Sequence, residues 1–189
     1  TFAAVLRSML RQDPDIILVG EIRDYETAEV SIQAALTGHL VLSTLHTNDA
    51  PSAITRLMNM GIEPFLVTSS VNTIVAQRLL RKVCSKCKTE QPYPKEKLIE
   101  IGFTNEEAKA LKLYVGRGCA TCGNTGYKGR VAVYEVFDFT NDMKQMVLEG
   151  SSVIEIRRKA IANGMKTLRG SALSRVIEGT TSLQEALAM

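Results

Sequence analysis

Four cysteines constrain this chain more than any other feature. Cys84, Cys87, Cys119 and Cys122 form two C-x-x-C pairs with 31 residues between them (88–118). Each pair offers two thiolates from one turn, and four soft donors are what a tetrahedral zinc takes. Gly116, Gly118, Gly123, Gly126 and Gly129 cluster around the second pair, where tight knuckles need backbone at positive φ. Zinc is redox-inert, so the spacing predicts a structural staple for a loop-rich module with too little apolar content to fold alone. A redox dithiol would leave one pair redundant. An iron–sulfur cluster stays open, although the glycine-rich knuckle favours zinc. Four unrelated buried cysteines are the bland alternative.

Away from the cysteines the chain has an α/β pattern. Phe2, Val5, Leu6, Met9 and Leu10 fall on one helix face, and Asp13-Pro14 stops it. Ile16 to Val19 is a continuous apolar run, which predicts a strand buried on both faces. Asp24 can cap a helix with Ala28, Ile32, Ala35 and Leu36 on its face. Leu40 to Leu42 opens a second buried strand, and Asp49 can cap a third helix carrying Ile54, Leu57 and Met58. This pacing predicts a parallel sheet with helices on its faces. Residues 63–80 are expected to be mostly helical, and 88–116 to hold two short helices. Arg130 to Phe139 alternates as a strand does, and Asn141 onward is helical, with stripes at Val153, Ile156, Ala160 and Ile161, then Leu168, Ala172 and Val176, then Leu183, Ala186 and Leu187. The expected division is 1–80 as an α/β core, 81–130 as the four-cysteine module, and 131–189 as a strand with a helical region.

Composition removes several functions. Trp is absent and aromatics are 5%, so base-stacking surfaces are poorly supplied. A net charge of +3 is far short of a nucleic-acid footprint. Arg78, Arg81, Lys82, Lys86 and Lys88 do gather near the first cysteine pair, which keeps a zinc-containing nucleic-acid module as an alternative; the same residues could face anionic lipid or an acidic partner. No apolar run has the length of a membrane span and no secretory signal opens the chain, which points to an intracellular protein whose reduced thiols suit metal better than disulfides.

The polar ends of the two strands carry the chemistry. Ile16-Ile17-Leu18-Val19-Gly20-Glu21 ends in a carboxylate, and ligands of open α/β sheets sit beyond the carboxyl ends of strands. A carboxylate there can organise magnesium or polarise a water against a phosphate; a solvated or salt-bridged surface Glu21 is the plain alternative. The second strand runs into Thr44, His46 and Thr47, which lie beside Glu21 if the strands are neighbours. His46 could then donate to a phosphate oxygen or to a water on the carboxylate. His39, at the opposite end of the strand, is expected to be structural or to lie at an interface. A scaffold that docks through zinc and binds no nucleotide has no use for Glu21 and His46 together.

The run from Asp13 through Val19-Gly20-Glu21-Ile22-Arg23-Asp24 closely resembles the Walker B segment of the secretion and pilus-extension ATPases, the PilB/GspE family. Thr37-Gly38-His39 through Ser43-Thr44-Leu45-His46-Thr47-Asn48-Asp49-Ala50 resembles its histidine box. Gln77-Arg78-Leu79, the four cysteines and Thr125-Gly126-Tyr127-Lys128-Gly129-Arg130 resemble its tetracysteine module. The resemblance covers essentially the whole chain. It implies the carboxyl-terminal part of a RecA-like P-loop ATPase core, joined to a tetracysteine zinc module and a carboxyl-terminal helical region. It also implies a hexameric motor using ATP and Mg2+, cytoplasmic and peripheral at the inner membrane, whose partners are a platform protein in that membrane and a cytoplasmic adaptor, with no nucleic acid. Glu21 is then the catalytic carboxylate and His46 the γ-phosphate sensor, with Gly20, Arg23 and Thr44 as neighbours of the nucleotide. Within the family the tetracysteine element argues against the retraction ATPases; likeness of the carboxyl-terminal helices favours pilus assembly over type II secretion.

The sequence holds no G-x-x-x-x-G-K-[ST]: Gly164-Met165-Lys166-Thr167 lacks the earlier glycine. The family places that phosphate-binding loop upstream of Thr1. The chain starts there without Met and enters a helical pattern at once, as a piece of something longer would. It is therefore expected to be inactive by itself.

Overall fold

The computed structural model describes residues 2–189. Thr1 and the side chain of Phe2, part of the expected first helix face, lie outside the described residues. In chain order the elements are α1 (Phe2–Leu10), β1 (Ile16–Val19), α2 (Tyr25–Leu36), β2 (Leu40–Ser43), α3 (Ser52–Asn59), α4 (Pro64–Ser70), β3 (Thr73–Val83), β4 (Lys88–Glu90), α5 (Lys95–Ile101), α6 (Asn105–Ala110), β5 (Tyr114–Gly116), β6 (Tyr127–Asp138), α7 (Asn141–Leu148), α8 (Val153–Ala162), α9 (Leu168–Ile177) and α10 (Leu183–Leu187). They gather into two units, Thr1–Ala76 with Val136–Met165, and Gln77–Glu135 with Lys166–Met189. Strands β3 and β6 pair with each other, and each runs from one unit into the other.

In the first unit β1 and β2 pair in parallel, Ile16 opposite Leu40 and Val19 opposite Ser43. Asp24 caps α2 by accepting the Thr27 N–H at 2.8 Å, and Asp49 accepts the Ser52 N–H at the start of α3 at 2.9 Å. Both bonds satisfy amides that a helix start leaves unpaired, although the N-cap position of α3 is Pro51 and not the expected Asp49. The core gathers Ile17, Val19, Ala28, Ile54 and Val67 with Phe137, Met143, Val147, Ile156 and Ala160. Helices α7 and α8 therefore bury their stripes here, while α9 and α10 bury Leu168, Ala172, Val176, Leu183 and Ala186 in the second unit. The observed units thus cut across the expected segments 1–80, 81–130 and 131–189, because the last four helices are shared between two cores.

Several local expectations change. Strand β1 alternates: Ile17 and Val19 are buried, Ile16 and Leu18 exposed. Leu40 and Leu42, their register partners, are also exposed, so the described residues cover only one face of this sheet. On α1 the buried residues are Ala3 and Leu6, whereas Val5 and Met9 are exposed; packing against α2 selects the face with the small Ala3. The expected helix over 63–80 ends at Ser70, and the 11-residue β3 follows. Its β-branched Thr73, Ile74 and Val75 suit a pleated surface, and pairing with β6 outweighs the local apolar pattern. Among the stripes, Ile161 and Leu187 are exposed.

In the second unit β4 and β5 pair antiparallel, Thr89 opposite Val115, with α5 and α6 between them in sequence. The Arg81 guanidinium is held by Glu185 of α10, with Nη2 to Oε2 at 2.6 Å, and lies over the Tyr127 ring at 4.3 Å. Lys88 sits 4.1 Å above the Tyr114 ring. Two of the five basic residues near the first cysteine pair are thus committed within the protein.

Candidate active site and cysteine cluster

Strands β1 and β2 end side by side, and two hydrogen bonds tie their exits. The Thr44 hydroxyl donates to the Gly20 carbonyl at 2.7 Å, and the Ile22 N–H donates to the Thr44 carbonyl at 3.0 Å. Ile22 is buried beneath this crossing. Glu21 and His46, 25 residues apart in sequence, are thereby brought together: His46 Nε2 lies 3.0 Å from Glu21 Oε2. Glu21 Oε1 is ion-paired with Arg23. The Glu21 side chain is 26% exposed, Arg23 72% and His46 84%, so the pair faces solvent with its backbone anchored. The Arg23 hydrogen bond holds the Glu21 carboxyl below its ordinary value, burial opposes this, and His46 adds to the lowering.

Gly20, Arg23 and Thr44 all adjoin Glu21, as their sequence positions suggest. A Cβ at Gly20 would meet nothing within 4 Å, so packing does not demand a glycine there. His39 lies apart from this group: its Nδ1 sits 3.0 Å from the Ala34 carbonyl and 3.2 Å from the Thr37 hydroxyl, a structural position at the end of α2. Sequence reasoning missed Arg157. From α8 it forms an ion pair with Asp49, whose other carboxylate oxygen accepts the Ser52 N–H. Nothing in the local pattern of α8 signals that pairing, which joins residues 108 apart.

The cysteines converge as a group. All four Sγ atoms lie within 4.8 Å of one another, with Cys84–Cys119 at 3.9 Å, Cys87–Cys122 at 3.9 Å and Cys119–Cys122 at 3.7 Å. A tetrahedron with metal–sulfur bonds of about 2.3 Å has edges of about 3.8 Å, so the spacing fits one metal ion held by four thiolates. Burial works against the Cys122 thiolate, but N–H donation from Cys119 and Gly126, each at 3.3 Å, prevails and brings its pKa down to about 6. Burial pushes the Cys87 thiol up to about 11. Gly116 and Gly126 cross behind the knuckle so closely that a Cβ on Gly126 would lie 2.3 Å from the Gly116 carbonyl oxygen. Gly126 also has φ +77°.

Residues 1–188 match the type II/IV secretion system protein family. The chain belongs to that family. It is 52% identical over 187 residues to the type IV pilus assembly ATPase PilB of Myxococcus xanthus, covering 98% of this chain and 33% of that protein. Type II secretion system protein E of Pseudomonas aeruginosa is 47% identical over 187 residues, with 99% and 37% covered. Among solved structures, the pilus retraction motor PilT with bound ADP superposes with TM-score 0.68 at 26% identity, over 100% of this chain and 43% of that one. The Legionella pneumophila ATPase DotB superposes with TM-score 0.69 at 23% identity, with 100% and 42% covered, and so agrees in its α/β fold. The chain spans about a third of the length of the curated relatives it matches. Among the described residues no helix is long and apolar enough to cross a membrane.

Proposed function

We propose that this chain is the carboxyl-terminal portion of a hexameric motor ATPase that drives type IV pilus assembly, cytoplasmic and peripheral at the inner membrane. The observation that carries the reading is the 3.0 Å approach of His46 to Glu21 at the ends of two neighbouring parallel strands. An acid and an imidazole so placed suit the hydrolysis of a phosphoanhydride. Glu21 takes the proton of the attacking water and His46 contacts the terminal phosphate. Magnesium, carried on the nucleotide, supplies charge neutralisation of the phosphates. The phosphate-binding loop lies in the part of the longer protein that precedes this chain. The exposed apolar row of Ile16, Leu18, Leu40 and Leu42 supports that reading, since such a row calls for a covering layer.

The cysteines serve a structural zinc. The sulfur spacing supports a single ion over an iron–sulfur cluster, which would interpose several atoms and spread the ligands. Pilus assembly is preferred to type II secretion on the 52% identity to a pilus assembly ATPase against 47% to a secretion protein. A membrane platform protein and a cytoplasmic adaptor are the expected partners. Measuring magnesium-dependent ATP turnover tests the assignment: the longer protein should hydrolyse ATP and this chain alone almost none. Robust turnover by the chain alone would overturn the placement of the phosphate loop outside it.

A further inference from the structure

We propose that Arg23 is a positioning residue that holds Glu21 in a resting pose and transfers to the terminal phosphate of the nucleotide when that anion arrives. The inference rests on the reading of Glu21 as the base for the attacking water. Both Glu21 oxygens are engaged, Oε1 by Arg23 and Oε2 by His46. A carboxylate held at both oxygens is fixed in orientation and made less basic, though each oxygen keeps a further lone pair, so release of one partner raises its readiness to take a proton. The more exposed His46, at 84%, is already assigned to the terminal phosphate, and the chemistry of its guanidinium marks Arg23 as the partner that is exchanged. Its backbone is fixed on both sides, by the buried Ile22 bonded to the Thr44 carbonyl and by Asp24 committed to the Thr27 amide. Its side chain is 72% exposed, and among the described residues its one ion pair is with Glu21. Arginine binds carboxylate and phosphate with the same planar fork, so a multiply charged phosphate competes directly with Glu21 for it.

Once Arg23 has moved, the water oxygen bonds to the γ-phosphorus as the bond to the bridging oxygen breaks. The water proton passes to Glu21 Oε1, ADP leaves, and the proton is later released to solvent. The groups that act on Glu21 are Arg23 from its own connection and His46 from the segment after β2. Arg23 lowers the Glu21 pKa, so its departure raises it and makes Glu21 a better base.

The experiment is the pH dependence of ATP hydrolysis by the longer protein as wild type, Arg23→Ala and Arg23→Lys. The limb of kcat/KM reports the free enzyme and that of kcat the nucleotide complex; titration of ATP itself is common to all three proteins. Expected is a wild-type acid limb lying lower in kcat/KM than in kcat. Arg23→Ala should move the kcat/KM limb to higher pH and leave the kcat limb in place, and Arg23→Lys, which keeps the charge without the fork, should restore part of the wild-type separation. An unmoved kcat/KM limb in Arg23→Ala, or both limbs moving together, would overturn the proposal while leaving Glu21 as the base. A wild-type protein that hydrolyses no ATP would overturn both.

Discussion

Replacing Cys84 with Ser, or removing the metal with a chelator, should lower the melting temperature of the four-cysteine unit by roughly 15–30 °C. The magnitude follows from the geometry. The cluster cross-links Cys84 and Cys87 to Cys119 and Cys122 across the 31 residues 88–118. Closing a loop of that length removes about 4 kcal/mol of chain entropy from the unfolded state. For a unit of this size each kcal/mol moves the midpoint by about 4–8 °C. The intervening segment has a small core of its own: β4 and β5 are three residues each, α6 buries none of its residues, and Leu98, Phe103 and Leu113 are its buried apolar residues. A metal that leaves its ligands on unfolding stabilises instead through its binding free energy to the folded state. The assay is elemental analysis for one zinc per chain, followed by thermal melts with and without chelator and of the Cys84→Ser protein. A metal-free preparation melting within a few degrees of the loaded one would refute the staple.

Gly126→Ala should cost about 3 kcal/mol, from the left-handed backbone penalty and the clash with the Gly116 carbonyl; urea unfolding reads this as a lower midpoint, and an unchanged midpoint would show that the crossing relaxes freely. Acid should unfold the protein in a definite window. Thr140, followed by Asn163 and Lys159, holds the Asp142 pKa at about 2, against an ordinary 3.8. Arg81 likewise holds Glu185 below its ordinary 4.5. Depressed folded pKa values give stability that is present above the ordinary values and lost as pH falls through the folded ones. The urea midpoint should therefore fall as pH drops from 4.5 toward 2, and Asp142→Asn should flatten the lower part of that decline.

The juxtaposition of Glu21 and His46 was legible in the sequence because two apolar runs of strand length each ended in polar residues, and parallel neighbours align such ends. The cysteine cluster was legible from spacing alone. The face of α1 was not, since Ala3 and Val5 compete on packing, which periodicity does not encode. Strand β3 was hidden because an apolar run with no charge before Arg78 reads equally as helix, and its partner β6 lies some 50 residues on. The sharing of α7–α8 and α9–α10 between two cores, and the Arg157–Asp49 pair, depend on contacts between segments about a hundred residues apart. The exposed Ile16 and Leu18 show the converse: the run encodes two buried faces, and the described residues cover one.

The account turns on a proton taken by the carboxylate that ends β1. Single-turnover ATP hydrolysis by the longer protein carrying Glu21→Gln, measured beside equilibrium nucleotide binding, tests it directly. The amide keeps the shape and a hydrogen bond but cannot accept the proton, so hydrolysis should fall by at least about a hundredfold while binding stays within a few-fold of wild type. Hydrolysis near the wild-type rate would contradict the account.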